Sequence, residues 1–315
     1  MTDRTRQADP APARGAVRVL LLGSHGRLGG AIAVALEPVG VDVVAPPRQS
    51  LALDPAAPDG AAARWLAQWQ PDVVVNCIGL TDVDRCERDP VLAQRLNTAL
   101  PGALAREAAG AGARLIHFST DYVFDGALRR PYREDDAANP LSVYGTTKLA
   151  GDRAVADAGC PHWVFRVSWL YGGPRRNLSA LLLEPSSAGR TIRLANDRIG
   201  VPNPVQLLAA EVAHCIAGDA AAAGGPGIAP SGLYHLSCHG ATTWHAFGLV
   251  FIREAIRVGR LAENRAPRVE GFAEATVPRP ARRPFWSALD PSRYEQTFGR
   301  TMPGWEEAIA LALCG

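Results

Sequence analysis

The stretch Val17-Arg18-Val19-Leu20-Leu21-Leu22-Gly23-Ser24-His25-Gly26-Arg27-Leu28-Gly29-Gly30-Ala31-Ile32-Ala33-Val34-Ala35-Leu36 decides the fold. An apolar, strand-like run stops at Gly23. Two more glycines follow at three-residue steps, Gly26 and Gly29, and then a run of good helix formers. Strand, turn and helix in that order open a βαβ unit. Gly23 lets the chain leave the strand sharply, Gly26 lets backbone approach a ligand, and Gly29 lets the helix pack on the sheet. The helix start offers unpaired N–H groups and a positive dipole end, which suit a pyrophosphate. A dinucleotide is therefore expected on Gly23, Ser24, Gly26, Arg27, Leu28 and Gly29.

Working outward, Val41–Ala45 reads as the second strand. It ends in Ala45-Pro46-Pro47-Arg48, with no carboxylate to accept from both adenosine ribose hydroxyls. Arg48 can instead clamp a 2′-phosphate, which favours NADPH over NADH. Ala61–Trp69 reads as a helix, and Pro71–Gly79 as a β-branched strand buried on both faces. A loop, Leu80–Asp84, leaves its C-terminal edge, where ligands collect in open α/β sheets. A long helix is expected over Pro90–Gly110, and a strand over Arg114–Thr120 that ends in two hydroxyl residues.

The second informative stretch is Pro140-Leu141-Ser142-Val143-Tyr144-Gly145-Thr146-Thr147-Lys148-Leu149-Ala150-Gly151, which starts a helix. Tyr144 and Lys148 are four apart and share a face. A tyrosine with an ordinary pKa near ~10 is a poor acid at neutral pH, and a nearby ammonium lowers it. With the Thr120 hydroxyl holding the reacting oxygen, the three residues can protonate a ketone as a hydride arrives at its carbon. Tyr-x-x-x-Lys alone recurs by chance. Here it follows a glycine turn and a strand ending Ser119-Thr120.

Trp163–Gly172 reads as a further strand, in which Trp169 and Tyr171 either flank a substrate or fill the core. Helices are expected over Val205–Ala217, Thr243–Arg257 and Trp305–Cys314, with a short strand at Leu233–Ser237. The loop Pro278–Pro284 is basic and stiffened by proline, and Arg282 or Arg283 can pair with a diphosphate.

Composition narrows the class. The 315 residues allow one large domain or two intimate ones. A net charge of +2 gives no electrostatic case for nucleic acid or an anionic membrane. No apolar run approaches the ~20 residues of a membrane span. The six cysteines form no CxxC pair, so a reducing cytoplasm is the default. His235, Cys238, His239 and His245 match no standard zinc spacing, and no metal is expected. Residues 1–16 are polar and rich in Pro, Ala and Arg, and read as a disordered tail.

Pro71–Asn76, Ser119–Phe124, Val143–Gly151, Phe165–Tyr171, Asn196–Pro202, Gly232–Leu236 and Pro280–Pro284 together resemble the dTDP-4-dehydrorhamnose reductase family of extended short-chain dehydrogenases/reductases. The resemblance runs from about Val17 to the C-terminus. It implies an α/β fold: a Rossmann-like, doubly wound parallel sheet with a smaller α/β C-terminal substrate domain. The dinucleotide-binding part would span 17–172, with 197–218 returning to it, and the substrate part 173–196 and 219–315. It further implies reduction of the C4 ketone of a dTDP-linked 6-deoxyhexose. Tyr144 would be the proton donor, Lys148 would hold the nicotinamide ribose, and Thr120 would bind the sugar oxygen with Asp121 beside it. Trp169 would contact sugar or nucleotide. Gly26, Arg27 and Leu28 would lie on the pyrophosphate, and Gly79, Leu80 and Thr81 along the cofactor. A homodimer is the assembly considered. Two departures fall on the substrate side: Cys77-Ile78-Gly79 stands where the family has small alanines, and Phe285-Trp286 where it has Asn-Ser. An epimerase or dehydratase of the same superfamily, or a non-catalytic NADP-binding subunit, are the alternatives.

Overall fold

The computed structural model describes residues 16–173, 177–184, 189–221 and 229–314. The expected tail thus lies outside the described residues except for Ala16.

The strands are β1 (Arg18–Leu22), β2 (Asp42–Val44), β3 (Val73–Asn76), β4 (Arg114–Thr120), β5 (His162–Val167), β6 (Leu170–Tyr171), β7 (Thr191–Ala195), β8 (Asn203–Pro204), β9 (Gly232–His235) and β10 (Arg268–Phe272). Among them run the helices α1 (Arg27–Leu36), α2 (Arg48–Leu51), α3 (Pro58–Trp69), α4 (Val83–Arg88), α5 (Pro90–Gln94) and α6 (Leu100–Ala111). Then come α7 (Val143–Asp157), α8 (Leu178–Leu183), α9 (Val205–Ala221), α10 (Trp244–Arg257), α11 (Ser292–Phe298) and α12 (Trp305–Cys314). Six strands form one parallel sheet in the order β2-β1-β3-β4-β5-β9. From β1 the chain first moves one way to β2 and then the other way to β3. That reversal opens a crevice at the C-terminal ends of β1 and β3, the usual ligand position in such sheets.

The strand sequences look uniformly apolar because the sheet is covered on both sides, and their period of two divides them between two cores. Val19 and Leu21 of β1, Val73 and Val75 of β3, and Trp163 and Phe165 of β5 pack with α1, α9 and α10. Leu20, Leu22, Val74 and Val164 face α3 and α6 instead. On this second face the side chains turn polar towards the C-terminal edge: Asn76, His117, Ser119 and Arg166 are all buried there. The polar positions lie under α7, which carries Tyr144, Lys148 and Asp152 at four-residue steps.

The glycine turn closes tightly. Gly23 has φ +81°, where side chains are strained, and a Cβ on Gly29 would lie 2.3 Å from the Gly23 carbonyl oxygen. Gly29→Ala is therefore expected to destabilise the chain by about 1–3 kcal/mol, the usual cost of overpacking, read from the urea midpoint.

Several elements differ from the sequence expectation. The helix expected over Pro90–Gly110 is interrupted by a π-helical turn, Arg95–Ala99. Asn97 in that turn is buried; its Oδ1 accepts from the Leu80 amide at 2.8 Å and its Nδ2 donates to the Leu80 carbonyl at 3.0 Å. The strand expected over Trp163–Gly172 breaks after Val167. Ser168 Oγ donates to the Val201 carbonyl, Asn203 Nδ2 donates to the Ser168 carbonyl, and Trp169 adopts φ +41°. Its continuation, β6, pairs with β8 outside the main sheet. Residues 219–315 were expected in the substrate part, yet β9 pairs with β5 in the main sheet. β7 and β10, not expected from sequence, pair with each other in a separate two-stranded sheet. The five described cysteines Cys77, Cys86, Cys160, Cys215 and Cys238 are free thiols, and among the described residues no helix is long and apolar enough to cross a membrane.

Candidate active site

A cavity of about 570 Å³ opens at the C-terminal ends of β1, β3 and β4. One wall is the start of α1, with Gly26, Arg27, Leu28 and Gly29. A second is the end of β3, with Gly79 and Thr81. Thr120, Asp121, Tyr144 and Lys148 line it as well, and Trp169 and Trp244 stand at its far side.

Each catalytic candidate is held by local structure. Ser142 caps α7 by accepting from the Gly145 amide, which sets the helix phase. Gly145 is required because a Cβ there would lie 2.2 Å from the Tyr122 carbonyl oxygen. Tyr144 meets Tyr122 edge to face at 5.7 Å between ring centres. Burial pushes the Tyr144 phenol above its ordinary range; a hydrogen bond with the Thr120 hydroxyl pulls it back, and Asp121 adds to the rise. The expectation that Lys148 lowers this pKa is therefore not met in the ligand-free chain. Lys148 Nζ turns instead to the Phe118 carbonyl and to His117 Nε2.

Thr120 Oγ1 donates to Asp121 Oδ1 at 3.1 Å and accepts from the Tyr122 amide at 3.2 Å. Burial raises the Asp121 carboxyl to about 7, against hydrogen bonds from the Ser287 and Thr120 hydroxyls. The unfolded carboxyl releases its proton near ~3.9 and the folded one near 7, so stability falls as pH rises through that window. Asp121→Asn is expected to remove the slope and to exceed the native chain in stability at pH 8 by roughly 1–4 kcal/mol, at ~1.4 kcal/mol per pH unit of displacement. Urea unfolding at pH 5 and pH 8 measures it.

The remaining expected site residues separate. Gly23 and Ser24 shape the turn behind the cavity wall, and the Gly26 amide is used to close that turn on the Gly23 carbonyl at 2.8 Å rather than to meet a ligand. Leu80 is a correction: its side chain packs with Cys86 and Ala93 in a small core, and Asn97 takes both its backbone groups. Arg48 sits exposed at the start of α2, just past the end of β2. Tyr171 is core, packed on Phe247. Trp169 stacks on Trp244 with ring centres 4.2 Å apart and planes 8° off parallel. Trp244 was not singled out from the sequence, where it is one apolar residue opening an amphipathic helix.

Arg283 lies in a second cleft of about 250 Å³, shared with Arg198, Glu274, Arg279 and Arg282. Its Nη2 is bound to Asp84 Oδ2 at 3.0 Å. That hydrogen bond, ahead of the opposing burial, holds the Asp84 carboxyl below its usual range. The basic loop is thus tied to α4, a helix where only a loop was expected. Tyr122 lines the first cavity and acts electrostatically on Arg283, so the two clefts are neighbours.

The residues present fit a dinucleotide. The first backbone bond of α1 runs from the Gly30 amide to the Gly26 carbonyl at 2.9 Å, which leaves the amides of Leu28 and Gly29 without a partner inside the helix. No acidic side chain stands in the first turn, and the N-cap makes no side-chain hydrogen bond. These donors face the cavity with the positive end of the helix behind them.

A doubly wound parallel sheet, a glycine turn at its switch point and a helix-borne Tyr–Lys pair define a dinucleotide-binding protein of the short-chain dehydrogenase/reductase class. Residues 17–314 match the family described as RmlD substrate binding domain. The dTDP-4-dehydrorhamnose reductase of Shigella flexneri is 38% identical over 300 residues, covering 94% of this chain and 97% of the relative. That of Streptomyces griseus is 37% identical over 306 residues, covering 95% of this chain and 94% of the relative. The crystal structure of a Bacillus anthracis dTDP-4-dehydrorhamnose reductase in complex with NADP superposes with a TM-score of 0.82 at 25% identity, covering 95% of this chain and 99% of that one. The chain belongs to the dTDP-4-dehydrorhamnose reductase family.

Proposed function

We propose that this chain uses NADPH to reduce the C4 ketone of a dTDP-4-keto-6-deoxyhexose in deoxysugar biosynthesis. The observation that carries the reading is that Thr120, Tyr144 and Lys148 line one cavity whose other wall is the start of α1. The cofactor supplies the hydride. The α1 amides and the edge of β3 bind it, and Lys148 reaches its nicotinamide ribose. Thr120 orients the sugar C4 oxygen, and Tyr144 donates its phenolic proton to that oxygen. Burial keeps Tyr144 protonated until the charge on the oxygen develops. The stacked indoles of Trp169 and Trp244 wall the sugar side and exclude water. The cleft of Arg198, Arg279, Arg282 and Arg283 takes the diphosphate, where Arg283 exchanges part of its bonding to Asp84 for a phosphate oxygen. The smaller lobe around β7, β10 and α10 acts as the substrate part. Free thiols at the five described cysteines fit a reducing cytoplasm.

The test is a mixture of purified chain, NADPH and dTDP-4-keto-6-deoxyglucose or its epimerised isomer. NADPH absorbance falls only with the keto sugar, and NMR of the product gives the C4 configuration. No NADPH consumption with any dTDP-4-keto sugar rejects the reading.

Arg48 provides a separate check on the cofactor. Arg48→Asp is expected to raise the KM for NADPH roughly 10- to 100-fold, the worth of a charge-assisted hydrogen bond of about 1.5–3 kcal/mol, and to improve NADH. Steady-state kinetics with both cofactors decide it.

A further inference from the structure

Lys148 is the only lysine in the 315-residue chain. It is buried, 4% exposed, beneath the cavity. Its hydrogen bonds carry information about its charge, because the donors and acceptors beside it are fixed from one end. The Ile78 amide donates to Asn76 Oδ1 at 3.0 Å, so the carbonyl end of the Asn76 side chain points there. Its Nδ2 therefore faces His117 Nδ1, at 3.2 Å. An amide nitrogen only donates, so His117 Nδ1 must accept. A neutral imidazole then carries its proton on Nε2, and His117 Nε2 lies 3.2 Å from Lys148 Nζ. An ammonium has no lone pair to accept that proton, whereas a neutral amine does. The amine in turn donates to the Phe118 carbonyl. Each contact in the chain from Asn76 through His117 and Lys148 to Phe118 joins a donor to an acceptor only when Nζ is uncharged.

We propose that Asn76 and His117 are positioning residues that favour Lys148 as a neutral amine in the protein without cofactor at alkaline pH, so that cofactor binding there is accompanied by proton uptake at Nζ. The inference rests on the reading of Lys148 as a cofactor-facing residue. The surroundings agree with it. Burial alone is the largest cause that holds the His117 imidazole well below its ordinary range, so it is neutral. Burial lowers Lys148 to about 8, against Asp152 on the same helix and Cys77 at the end of β3. Cys77 is pushed up to about 12 by burial and stays a thiol. Asp152 is itself raised by burial and is paired with Arg166 of β5. Asp121 of the β4 edge is raised to about 7, and Tyr144 lies one turn before Lys148 with its phenol raised by burial. Bound NADPH brings ribose hydroxyls and phosphate charge, which an ammonium meets better than an amine does. The proton comes from solvent, and Nζ gains a third N–H bond.

The single lysine makes the test direct. Full-length protein grown with 13Cε-labelled lysine gives one lysine resonance, free of overlap, and its shift is followed against pH without ligand. A midpoint near 8, at least two pH units below the ordinary ~10.4, supports the proposal; a midpoint of 10 or above overturns it. Asn76→Asp provides a second arm. A carboxylate accepts from both the Ile78 amide and His117 Nδ1–H, which leaves Nε2 a lone pair for an ammonium. The midpoint then rises by more than one unit and is accompanied by a change in the His117 15N tautomer pattern; an unmoved tautomer pattern overturns the role of Asn76. Calorimetry of NADPH binding at pH 9, in two buffers of different ionisation enthalpy, is expected to show uptake of ~0.9 proton, from a midpoint near 8. Binding without uptake overturns the coupling. Absence of any NADPH binding rejects the cofactor reading instead, and leaves the lysine titration to decide the rest.

Discussion

Tyr144→Phe is expected to lower kcat by about 100- to 10,000-fold, the usual range for loss of one positioned proton donor. The substitution removes one oxygen and keeps the ring. The edge-to-face contact with Tyr122 survives, and Thr120 keeps its bonds to Asp121 and to the Tyr122 amide. Fold and cofactor binding should therefore be preserved. Because proton donation acts in the transition state, kcat and kcat/KM should fall together while KM stays within a few-fold. NADPH binding by fluorescence and the thermal midpoint are the controls. Turnover above a tenth of the native rate with dTDP-4-keto sugar would remove Tyr144 from the proton-donor role and leave the family membership untouched.

Asp152→Ala is expected to cost about 3–5 kcal/mol of stability, because it leaves a buried cation uncompensated. Arg166 is 3% exposed and Asp152 6%, and Arg166 Nε donates to Asp152 Oδ2 at 3.2 Å. The guanidinium also lies over the Phe124 ring at 5.2 Å, so it is fixed from a second side. Replacing both partners by apolar residues of similar volume, Asp152→Leu with Arg166→Met, should recover most of the loss, since two desolvation penalties vanish with the pair. Urea unfolding of the single and double variants measures the difference. A single variant within 1 kcal/mol of native would mean that water reaches Arg166. The pair also supports the site: Asp152 follows Lys148 by one turn of α7 as Lys148 follows Tyr144, so a shift of the helix at Asp152 moves both.

Much of the dinucleotide half was legible in the sequence. Gly23 and Gly29 announce the turn because sterics at those two points admit no side chain. The strands β1, β3, β4 and β5 were legible from their β-branched, apolar runs, and α10 and α12 were placed to within a residue by their apolar spacing. The failures have physical causes. β7 and β10 are short and half exposed, and pair only with each other, so neither shows the continuous apolar signature. The π turn around Asn97 has helical composition, and it packs against α7, where Gly151 lets the helices approach until a Cβ would lie 2.1 Å from the Asn97 carbonyl oxygen. Leu80 looked like a cofactor-loop residue by position, and only its packing assigns it to a core.

By itself the sequence determined the strand–turn–helix at residues 17–36, the shared helix face of Tyr144 and Lys148 and the family resemblance, since backbone sterics and the periods of 2 and 3.6 act between near neighbours. Only the tertiary structure decided that Trp169 meets Trp244, that Arg283 reaches back 199 residues to Asp84, and that Asn76 and His117 set the hydrogen bonding of Lys148 across 41 and 31 residues. These contacts depend on which sheet face each side chain takes and how closely the helices pack on it. Burial then fixes the charges, raising Asp121 and lowering Lys148, because solvation is a property of the packed site rather than of the residue.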